Sequence, residues 1–427
     1  MMNFLKMRGA ARSSLMSFSS ISYTEKTPIT VSLWEKRREA KLKEKTLAAG
    51  APVTSKKPSD SRVDVRYDFG CTPGLKELYV DSFGNILMGK LLEDLDALAG
   101  NVAFFHCDDQ DPQTSDLSLV TAGVEQIKFE RKAIPMDNDV IVTGQVVYKG
   151  SSSLDVLIEA HVAKSNNNDD DSKVRLLDPA EQPSKLLSSV FTYVARDKET
   201  GRAAKVIDLD LSDCSRHEQS FFEDRSQKAL ERKRLRKEEK EPIETRALQN
   251  LGKSIVDMPA LAINNNYVLQ QTTALENSFI CEPQKSNTGG RVFGGFLINK
   301  AYMLAQANAY LFSGKQAHLT LVDKITFKRP VEIGDLIRLR SRVTYASNET
   351  PRRMVVQCTC DVVHPERGQS HQSNKFTFVF TCSEKERDRV NRKMVVPINR
   401  LEAESLVHSA VNILGLEKEK VEAEILR

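Results

Sequence analysis

The sequence repeats itself with a spacing of about 200 residues, and this repeat constrains the fold more than any other feature. The segment VEQIKFER, Val124 to Arg131, matches VDKITFKR, Val322 to Arg329. Both alternate apolar and polar residues, as half-buried strands do. Later in each copy, FTYV from Phe191 to Val194 matches FTFV from Phe376 to Val379. Repeated order of this kind predicts two similar domains in tandem.

Each copy places one long helix ahead of its strands. The helices are predicted from Gly89 to about Phe105 and from Gly294 to about Leu311, each with a glycine near its start. Further alternating stretches follow, Val140 to Tyr148 and Leu336 to Tyr345. One helix and several sequential strands favour an antiparallel sheet over a βαβ repeat. We therefore predict an α+β fold in which each copy wraps about five strands around a central helix, with the copies paired side by side.

Composition excludes several classes of protein. The chain has 427 residues, 40% apolar and 28% charged, with a net charge of +4. These values exclude a disordered or collagen-like chain, and the charge does not indicate a nucleic-acid binder. No apolar run approaches the roughly 18 residues of a transmembrane helix. The seven cysteines include no CxxC pair, which predicts reduced thiols.

The segments outside the two copies carry their own signals. Residues 1–25 are basic and Ser-rich with no acid before Glu25, which predicts a mitochondrial transit peptide, an ordinary disordered terminus being the alternative. The predicted divisions that follow are a basic arm with little core of its own at 26–74, a first domain at 75–200, a charged helical linker at 201–264, a second domain at 265–385 and a helical tail at 386–427. The linker is interpreted as a solvated helix, or else as a basic patch that meets phosphates or a membrane surface.

Two places in the helices are candidates for chemistry. Asp96 borders the apolar stripe of the first helix, and a carboxylate there is costly unless it is used or satisfied by a structural partner. The second helix begins after NTGGRVFGG, Asn287 to Gly295, the most Gly-rich point of the chain. Its free amides suit an anion or a developing oxyanion, although tight backbone packing is the alternative.

Several common motifs are absent from the sequence. There is no G-x-G-x-x-G, no P-loop and no G-x-S-x-G elbow, which counts against dinucleotide binding, phosphate-loop chemistry and an α/β-type serine hydrolase. His364 and His371 are seven residues apart, and no His and Cys set has metal-ligand spacing. No metal site is therefore expected.

The order of these motifs resembles the double-hotdog acyl-coenzyme A thioesterases. The resemblance is carried by V-x-x-I-x-F, the turn after it, F-T-[YF]-V and the two helix starts. The stretches Phe83 to Asp96 and Arg291 to Tyr302 look most like the mitochondrial branch, of the acyl-coenzyme A thioesterase nine type. The likeness covers about 75–200 and 265–385, and it implies that each copy is a hotdog domain.

The resemblance also implies an activity. Members of this family hydrolyse acyl-CoA to free acid and coenzyme A without a metal or bound cofactor, using a helix carboxylate as general base or nucleophile. Carried across by position, the carboxylate is Asp96 and the family's Asn is Asn85. The amides that hold the thioester oxygen would belong to Gly89, Gly294 and Gly295.

The carried-over residues depart from the family pattern. In many double-hotdog enzymes the Asn and the acid come from different copies, whereas Asn85 and Asp96 lie in the same copy, with Arg291 and Tyr302 at the matching positions of the other. Either two first copies meet across a subunit interface, or Asn287 or Arg291 substitutes within one site. We expect at most one competent site per chain.

Further expectations concern the substrate and partners. Four cations at the ends of the matched strands are candidates for the CoA phosphates, or else solubilise the sheet: Arg131, Lys132, Lys328 and Arg329. Acyl-CoA is the expected partner, in a homo-oligomer without nucleic acid, in the mitochondrial matrix or at the inner membrane. The rival hypotheses are a catalytically silent acyl-CoA sensor or scaffold, a hotdog dehydratase, which usually needs a His near the acid, and an RNA-associated protein.

Overall fold

A computed structural model of the chain describes residues 26–44, 53–163, 185–238, 266–382, 392–417 and 421, except for gaps at 71, 112–113, 115–116, 131–133, 135 and 137. The predicted transit peptide lies outside the described residues, and so do two of the predicted phosphate-binding cations, Arg131 and Lys132. Within the described ranges, no helix is both long enough and apolar enough to cross a membrane.

The described part of the chain contains two long central helices and four others. In chain order the α-helices are α1 (Pro28–Glu44), α2 (Pro73–Tyr79), α3 (Met88–Cys107), α4 (Arg216–Glu238), α5 (Gly294–Ser313) and α6 (Arg400–Val407), the last continuing into a π-helical turn, His408–Ile413. The predicted central helices are therefore confirmed as α3 and α5.

Sixteen strands are described. They are β1 (Ser55–Lys56), β2 (Val63–Tyr67), β3 (Leu117–Val124), β4 (Ile127–Phe129), β5 (Asp139–Lys149), β6 (Ser153–Ala163), β7 (Lys185–Asp197), β8 (Asp208–Leu209), β9 (Tyr267–Leu269), β10 (Leu275–Ile280), β11 (His318–Val322), β12 (Ile325–Thr326), β13 (Leu336–Ala346), β14 (Arg352–His364), β15 (Gln369–Cys382) and β16 (Met394–Val396). The repeated segments VEQIKFER and VDKITFKR both break after their first residue, between β3 and β4 and between β11 and β12.

Twelve of the described strands, from both copies, join in one antiparallel sheet, while β1 pairs with β8 and β9 with β16 in two separate parallel pairs. The order of the large sheet is β10–β13–β14–β15–β11–β4–β7–β6–β5–β2, with β3 beside β7 and β12 beside β3. The two copies meet where β11 pairs with β4 and β12 pairs with β3, so that Val322 lies opposite Ile127 and Ile325 opposite Val124. The same strand order on each side of this seam relates the copies by an approximate twofold axis.

The central helices fill the two halves of this sheet. α3 packs on β5, β6 and β7, α5 packs on β13, β14 and β15, and the two helices also contact each other. One apolar core includes Leu91 and Leu95 of α3 together with Ala301 and Ala305 of α5. An antiparallel sheet wrapped around a central helix, twice in tandem, is the predicted α+β double-hotdog architecture.

The segment before the first copy departs from the prediction. An arm with little core of its own was expected at 26–74, but Leu33 of α1 is buried in the same core as α3. Val63–Tyr67 pairs with β5 as a strand of the main sheet. The expectation is therefore wrong. The sequence did not indicate this packing because α1 lacks a periodic apolar stripe and because the residues that it buries include the polar Thr30.

Two outer helices cover parts of the sheet that face away from α3 and α5. Phe222 of α4 packs on Val147, Leu157 and Val190. Leu406 and Val407 of α6 belong to a second cluster with Tyr345, Val355 and Val379. These contacts are apolar, while Arg232 of α4 also forms an ion pair with Asp155. Both halves of the sheet are therefore covered on part of their outer face.

Candidate active site

Asp96 is a buried carboxylate at the meeting point of the two copies. It lies in the middle of α3, and only 2% of its surface is exposed. The backbone N–H of Gly295, at the start of α5, donates to its Oδ2 atom at 2.7 Å. The hydroxyls of Thr121 and Tyr193 donate to its Oδ1 atom at 3.2 and 3.1 Å. A carboxylate of the first copy is thus held by a helix start of the second copy.

Burial and hydrogen bonding act on the acidity of Asp96 in opposite directions. Loss of hydration raises its pKa to about 6, although the Gly295 amide and the two hydroxyls lower it by stabilising the charged form. A carboxyl group with this pKa is ionised at neutral pH and is a stronger base than an exposed aspartate. It is therefore suited to take a proton from water.

Asp96 opens onto a cavity of about 590 Å³. The wall on the first-copy side includes Ala97, Gly100 and Thr121, and the wall on the second-copy side includes Leu297 and Phe327. The cavity combines an apolar lining with a charged group, which is the usual composition of a small-molecule site. Both copies build it, so neither forms it alone.

The first two residues of α5, both glycines, allow the close approach to Asp96. A Cβ atom on Gly294 would lie 3.0 Å from Asp96 Oδ2, and one on Gly295 would lie 2.8 Å from the carbonyl oxygen of Glu93. Only glycine therefore lets the helix start reach this carboxylate. The Gly295 amide is committed to Asp96, while Gly294, the first residue of α5, offers one of the N–H groups that a helix leaves unpaired at its start.

Asn287 also lines the cavity and is fixed by its own turn. Its Oδ1 atom accepts the backbone N–H groups of Gly289 at 2.8 Å and Arg291 at 3.2 Å. Gly290 makes the turn possible with φ of 81°. With its oxygen engaged, the Asn287 amide keeps its two N–H donors for a ligand or a water molecule.

The structure does not bring Asn85 to Asp96. The turn from Asp81 to Asn85 is the first-copy counterpart of the turn from Asn287 to Arg291, with a backbone N–H donated from its first residue to the last residue's carbonyl in each. Asn85 therefore corresponds to Arg291, and Asp81 corresponds to Asn287. Within one chain, Asn85 therefore does not reach Asp96. The twofold axis exchanges the two turns, and Asn287, one of the substitutes considered from the sequence, lines the cavity of Asp96.

Gly89 is likewise separate from the cavity. A Cβ atom there would lie 2.2 Å from Asn299 Oδ1 and 3.1 Å from the ring of Tyr302. It permits the close crossing of α3 and α5 on the far side of the twofold axis. Of the three glycines predicted to position the thioester, Gly294 lines the cavity, Gly295 donates to Asp96 and Gly89 does neither.

The second copy has different chemistry at the position related by the twofold axis. Tyr302 takes the place of Asp96 and is buried between Phe378 and Phe380. Asp81 takes the place of Asn287, and its Oδ1 atom accepts backbone N–H groups from Phe83 and Asn85. The Asp81 side chain carries no N–H donor and the buried Tyr302 offers no base, so this position lacks both groups that Asp96 and Asn287 provide.

Cations surround the mouth of the cavity. Lys328 and Arg329, which were predicted as phosphate ligands, both line it. The structure adds four further cations, from both copies and from α1: Arg37, Arg196, Lys198 and Arg291. Sequence reasoning did not name Arg37, Arg196 or Lys198, because they are far apart in the chain, and it named Arg291 only as a possible substitute for the Asn. Their common feature is that they line one cavity, which the repeat alone does not reveal.

One acidic group of described residues is close enough to share a metal ion. It consists of Glu44, Asp108 and Asp109. Lys41 already forms ion pairs with Glu44 at 2.6 Å and Asp108 at 3.2 Å. None of these acids lines the cavity of Asp96, so the group has no part in the candidate site.

Comparison with known proteins gives a consistent result. Acyl-coenzyme A thioesterase 2, chloroplastic, of Humulus lupulus is 36% identical over 400 residues, which cover 89% of this chain and 87% of that protein. Acyl-coenzyme A thioesterase 4, mitochondrial, of the same plant is 35% identical over 88% of this chain and 71% of its own length. Acyl-coenzyme A thioesterase 9, mitochondrial, of Homo sapiens is 30% identical over 77% and 72%. No family model matches the chain.

Proposed function

The chain belongs to the acyl-coenzyme A thioesterases, and we propose that it hydrolyses fatty acyl-CoA to free fatty acid and coenzyme A at the cavity of Asp96. The observation that carries the proposed site is the burial of Asp96 against the first turn of the opposite copy's helix, with Gly295 N–H donating to its carboxylate. A buried carboxylate of raised pKa that borders a cavity is typical of a catalytic base, and it supports hydrolysis over silent binding.

In the proposed reaction Asp96 acts on water or on the thioester itself. As general base, it takes a proton from water while the water oxygen bonds to the thioester carbon. The C–S bond then breaks, and the departing CoA sulfur takes the proton from Asp96. As nucleophile, Asp96 would bond to that carbon while the C–S bond breaks and coenzyme A leaves as a thiolate. Water would then hydrolyse the resulting anhydride, which restores the Asp96 carboxylate, releases the free acid and supplies the proton that the thiolate takes up. Both routes produce a free acid and a thiol.

The developing negative charge on the thioester oxygen needs donors in either route. The Gly294 amide and the Asn287 side-chain amide are the groups we propose, since both residues line the cavity and the Gly295 amide already binds Asp96. Preorganised donors of this kind commonly contribute a factor of about 10² to 10³ to turnover. Asn287 thus takes the place that the sequence assigned to Asn85.

The phosphates of coenzyme A would lie at the cationic mouth. Lys328 and Arg329 are the predicted ligands that line it, and the nearby arginines offer bidentate contacts. Arg196 pairs with Ser118 in the β3–β7 ladder, three residues beyond the pairing of Tyr193 with Thr121. Three residues of a strand span roughly 10 Å, so Arg196 stands some distance along β7 from the residue that contacts Asp96. Such a separation suits a substrate whose thioester and phosphates are joined by a long linker.

The proposal is tested by thiol release from a panel of acyl-CoAs of increasing chain length. We expect turnover by the parent protein, a loss of about 10²-fold or more in Asp96→Asn, and a large loss in Asn287→Ala. Asn85→Ala is the matched control, because it removes the same amide from the corresponding loop outside the cavity, and it should retain activity. Turnover that survives in Asp96→Asn would contradict the assignment of Asp96 as the base. Binding of acyl-CoA by the parent protein without hydrolysis at any acyl chain length would favour the silent sensor.

Location and assembly are also proposed. Relatives named as mitochondrial support a mitochondrial location, and the matrix or the inner-membrane surface is the finer proposal. We also propose a homo-oligomer of paired hotdogs, by analogy with the family. Subcellular fractionation tests the first statement, and light scattering of the purified full chain tests the second, where the mass of a single chain would contradict it.

A further inference from the structure

Asp94 is a second buried carboxylate that the proposed reaction does not use. It lies on α3, two residues before Asp96, and does not line the cavity. Four hydroxyl groups donate to it, from Thr27, Thr30, Tyr67 and Tyr79, at 2.9 Å for Thr30 and 3.0 Å for Tyr67. Burying a carboxylate away from water costs free energy unless hydrogen bonds replace its hydration, and four hydroxyl groups do so for Asp94. We call these five residues the Asp94 latch.

The latch fixes the position of α1 along α3. Beyond Thr27 and Thr30, the side-chain amide of Asn101 donates to the carbonyl of Leu33 at 2.7 Å. One turn further along α1, the guanidinium carbon of Arg37 lies 4.4 Å from the centre of the Phe104 ring. Successive residues of α1 thus contact successive residues of α3, so the two helices run parallel and side by side. The contacts define one alignment of α1 along α3, which we call its register. Leu33 is the one apolar side chain that α1 buries fully, and the polar contacts therefore set that register.

The register of α1 matters because two of its side chains belong to the cavity wall. Trp34 and Arg37 both line the cavity of Asp96. The Trp34 ring meets the ring of Phe293 edge to face at 5.3 Å, and Phe293 immediately precedes the helix start that holds Asp96. A slip of one helical turn would displace these side chains by about 5.4 Å.

The second copy shows that a hotdog half of this chain folds without such a latch. By the twofold relation, Lys300 replaces Asp94, and its ammonium lies 5.5 Å from the Phe296 ring. Phe279, which pairs with Ile337, replaces Tyr67, which pairs with Val140. Lys285 replaces Tyr79, since each accepts the backbone N–H of the residue before its central helix. The latch is present in the copy that carries Asp96 and absent in the copy that carries Tyr302.

We propose that α1 is a third component of the substrate site, in which Arg37 binds the phosphate-bearing part of acyl-CoA, Trp34 contacts the substrate beside Phe293, and Asp94 is the positioning residue. The proposal rests on the proposed function for the identity of the substrate. Arg37 lines the same cavity as Arg196 and Lys198, which places cations from α1, from β7 and from the turn after β7 around one cavity.

The experiment measures substrate binding apart from turnover. Full-length protein carrying Asp96→Asn is titrated with acyl-CoA by calorimetry, alone and with Arg37→Gln added. We expect Arg37→Gln to weaken binding of acyl-CoA about tenfold or more, the usual effect of losing a charge-assisted contact, and to leave binding of the matching acyl-pantetheine, which lacks the nucleotide phosphates, within twofold. Arg38→Gln is the matched control, since it removes the same charge from the exposed side of α1.

A second variant tests the latch itself. Thr27→Val with Thr30→Val removes two of the four donors while preserving the shape of both side chains. We expect it to weaken acyl-CoA binding as Arg37→Gln does, with an unchanged circular dichroism spectrum, because α1 loses its register and not its fold. Asp94→Asn, which retains one acceptor oxygen, should fall between this variant and the parent.

Two results would overturn the inference. One is an equal weakening of acyl-CoA binding by Arg37→Gln and Arg38→Gln, which would show that the loss of any positive charge on α1 has this effect. The other is unchanged binding in both Arg37→Gln and the double threonine variant. Failure of the proposed function would be seen separately, as a lack of thiol release by the parent protein, and it would leave these binding measurements interpretable.

Discussion

At the scale of single residues, the chemistry of the site depends on a balance around one carboxylate. Burial raises the pKa of Asp96 to about 6, and the donors Gly295, Tyr193 and Thr121 oppose that rise. Too few donors would leave the group protonated at neutral pH, and full hydration would leave it a weak base. Glu93, whose pKa burial raises to about 7, lies outside the cavity lining and does not serve this purpose.

The pH dependence of turnover should follow this balance. We expect kcat/KM to rise with pH below about 6 and to level off above it, because only ionised Asp96 can take a proton from water. Tyr193→Phe removes a donor to the charged form and should move the inflection upward. Rates measured between pH 5 and 8.5 check both statements, and Tyr148→Phe makes the same chemical change outside the cavity. An inflection that Tyr193→Phe leaves in place would contradict the role of that hydroxyl.

How far individual residues could be predicted differs between Asp96 and Asn287. Asp96 was found from its place at the edge of an apolar helical stripe, which is a local property of the sequence. Asn287 was named only as a possible substitute, because the sequence does not show which loop of one copy lies beside the central helix of the other. The sequence had already matched Asn85 with Arg291. Alignment of the turns through Gly84 and Gly290, whose φ angles are 80° and 81°, adds the match of Asp81 with Asn287.

At the scale of elements, the crossing of α3 and α5 determines the site. Gly89 faces Asn299 of the other helix, and Gly295 faces the backbone of Glu93, so the helices approach closely at two points related by the twofold axis. The alternating strands and the two helices were predictable from the repeat because each buries one apolar face. Helix α1 was not, because its inner face is held by Thr27, Thr30 and other polar contacts that no hydrophobic periodicity marks.

A methyl group at the crossing should disturb both stability and turnover. In Gly295→Ala the new Cβ atom would lie 2.8 Å from the Glu93 carbonyl, a backbone atom that cannot rotate away. We expect a loss of about 1 to 3 kcal/mol in the free energy of unfolding and a fall in kcat of tenfold or more as the amide moves from Asp96. Urea unfolding and thiol release measure the two effects.

The control for this change is Gly74→Ala, a helical glycine with no atom within 4 Å of an added Cβ. Its stability should stay within about 0.5 kcal/mol of the parent. Equal behaviour of the two variants would show that the helix crossing tolerates a wider separation than the structure indicates.

At the scale of the whole molecule, the two halves share one fold and differ in chemistry. The approximate twofold axis gives the chain two equivalent positions, one with Asp96 and Asn287 and the other with Tyr302 and Asp81. The tandem fold followed from the sequence repeat, whereas the pairing of β4 with β11 and β3 with β12 could not, since residues nearly 200 positions apart meet there.

This asymmetry predicts one substrate site per chain. Titration of the full chain with a non-hydrolysable thioether analogue of acyl-CoA should give one molecule bound per chain. Tyr302→Phe should leave kcat within twofold, because the buried ring packs on Phe378 and Phe380 and its hydroxyl has no part in the reaction. Two molecules bound per chain would show that the Tyr302 position also accepts substrate.

The seam between the two copies has an evolutionary consequence. In a pair of identical subunits every mutation enters both members at once, so an improvement on one side is tied to its effect on the other. Here the partners are covalently one polypeptide, and a single codon alters one side alone. The half that carries Tyr302 is free to specialise in supplying amides and walls, and the half that carries Asp96 can acquire a helix such as α1 without duplicating it.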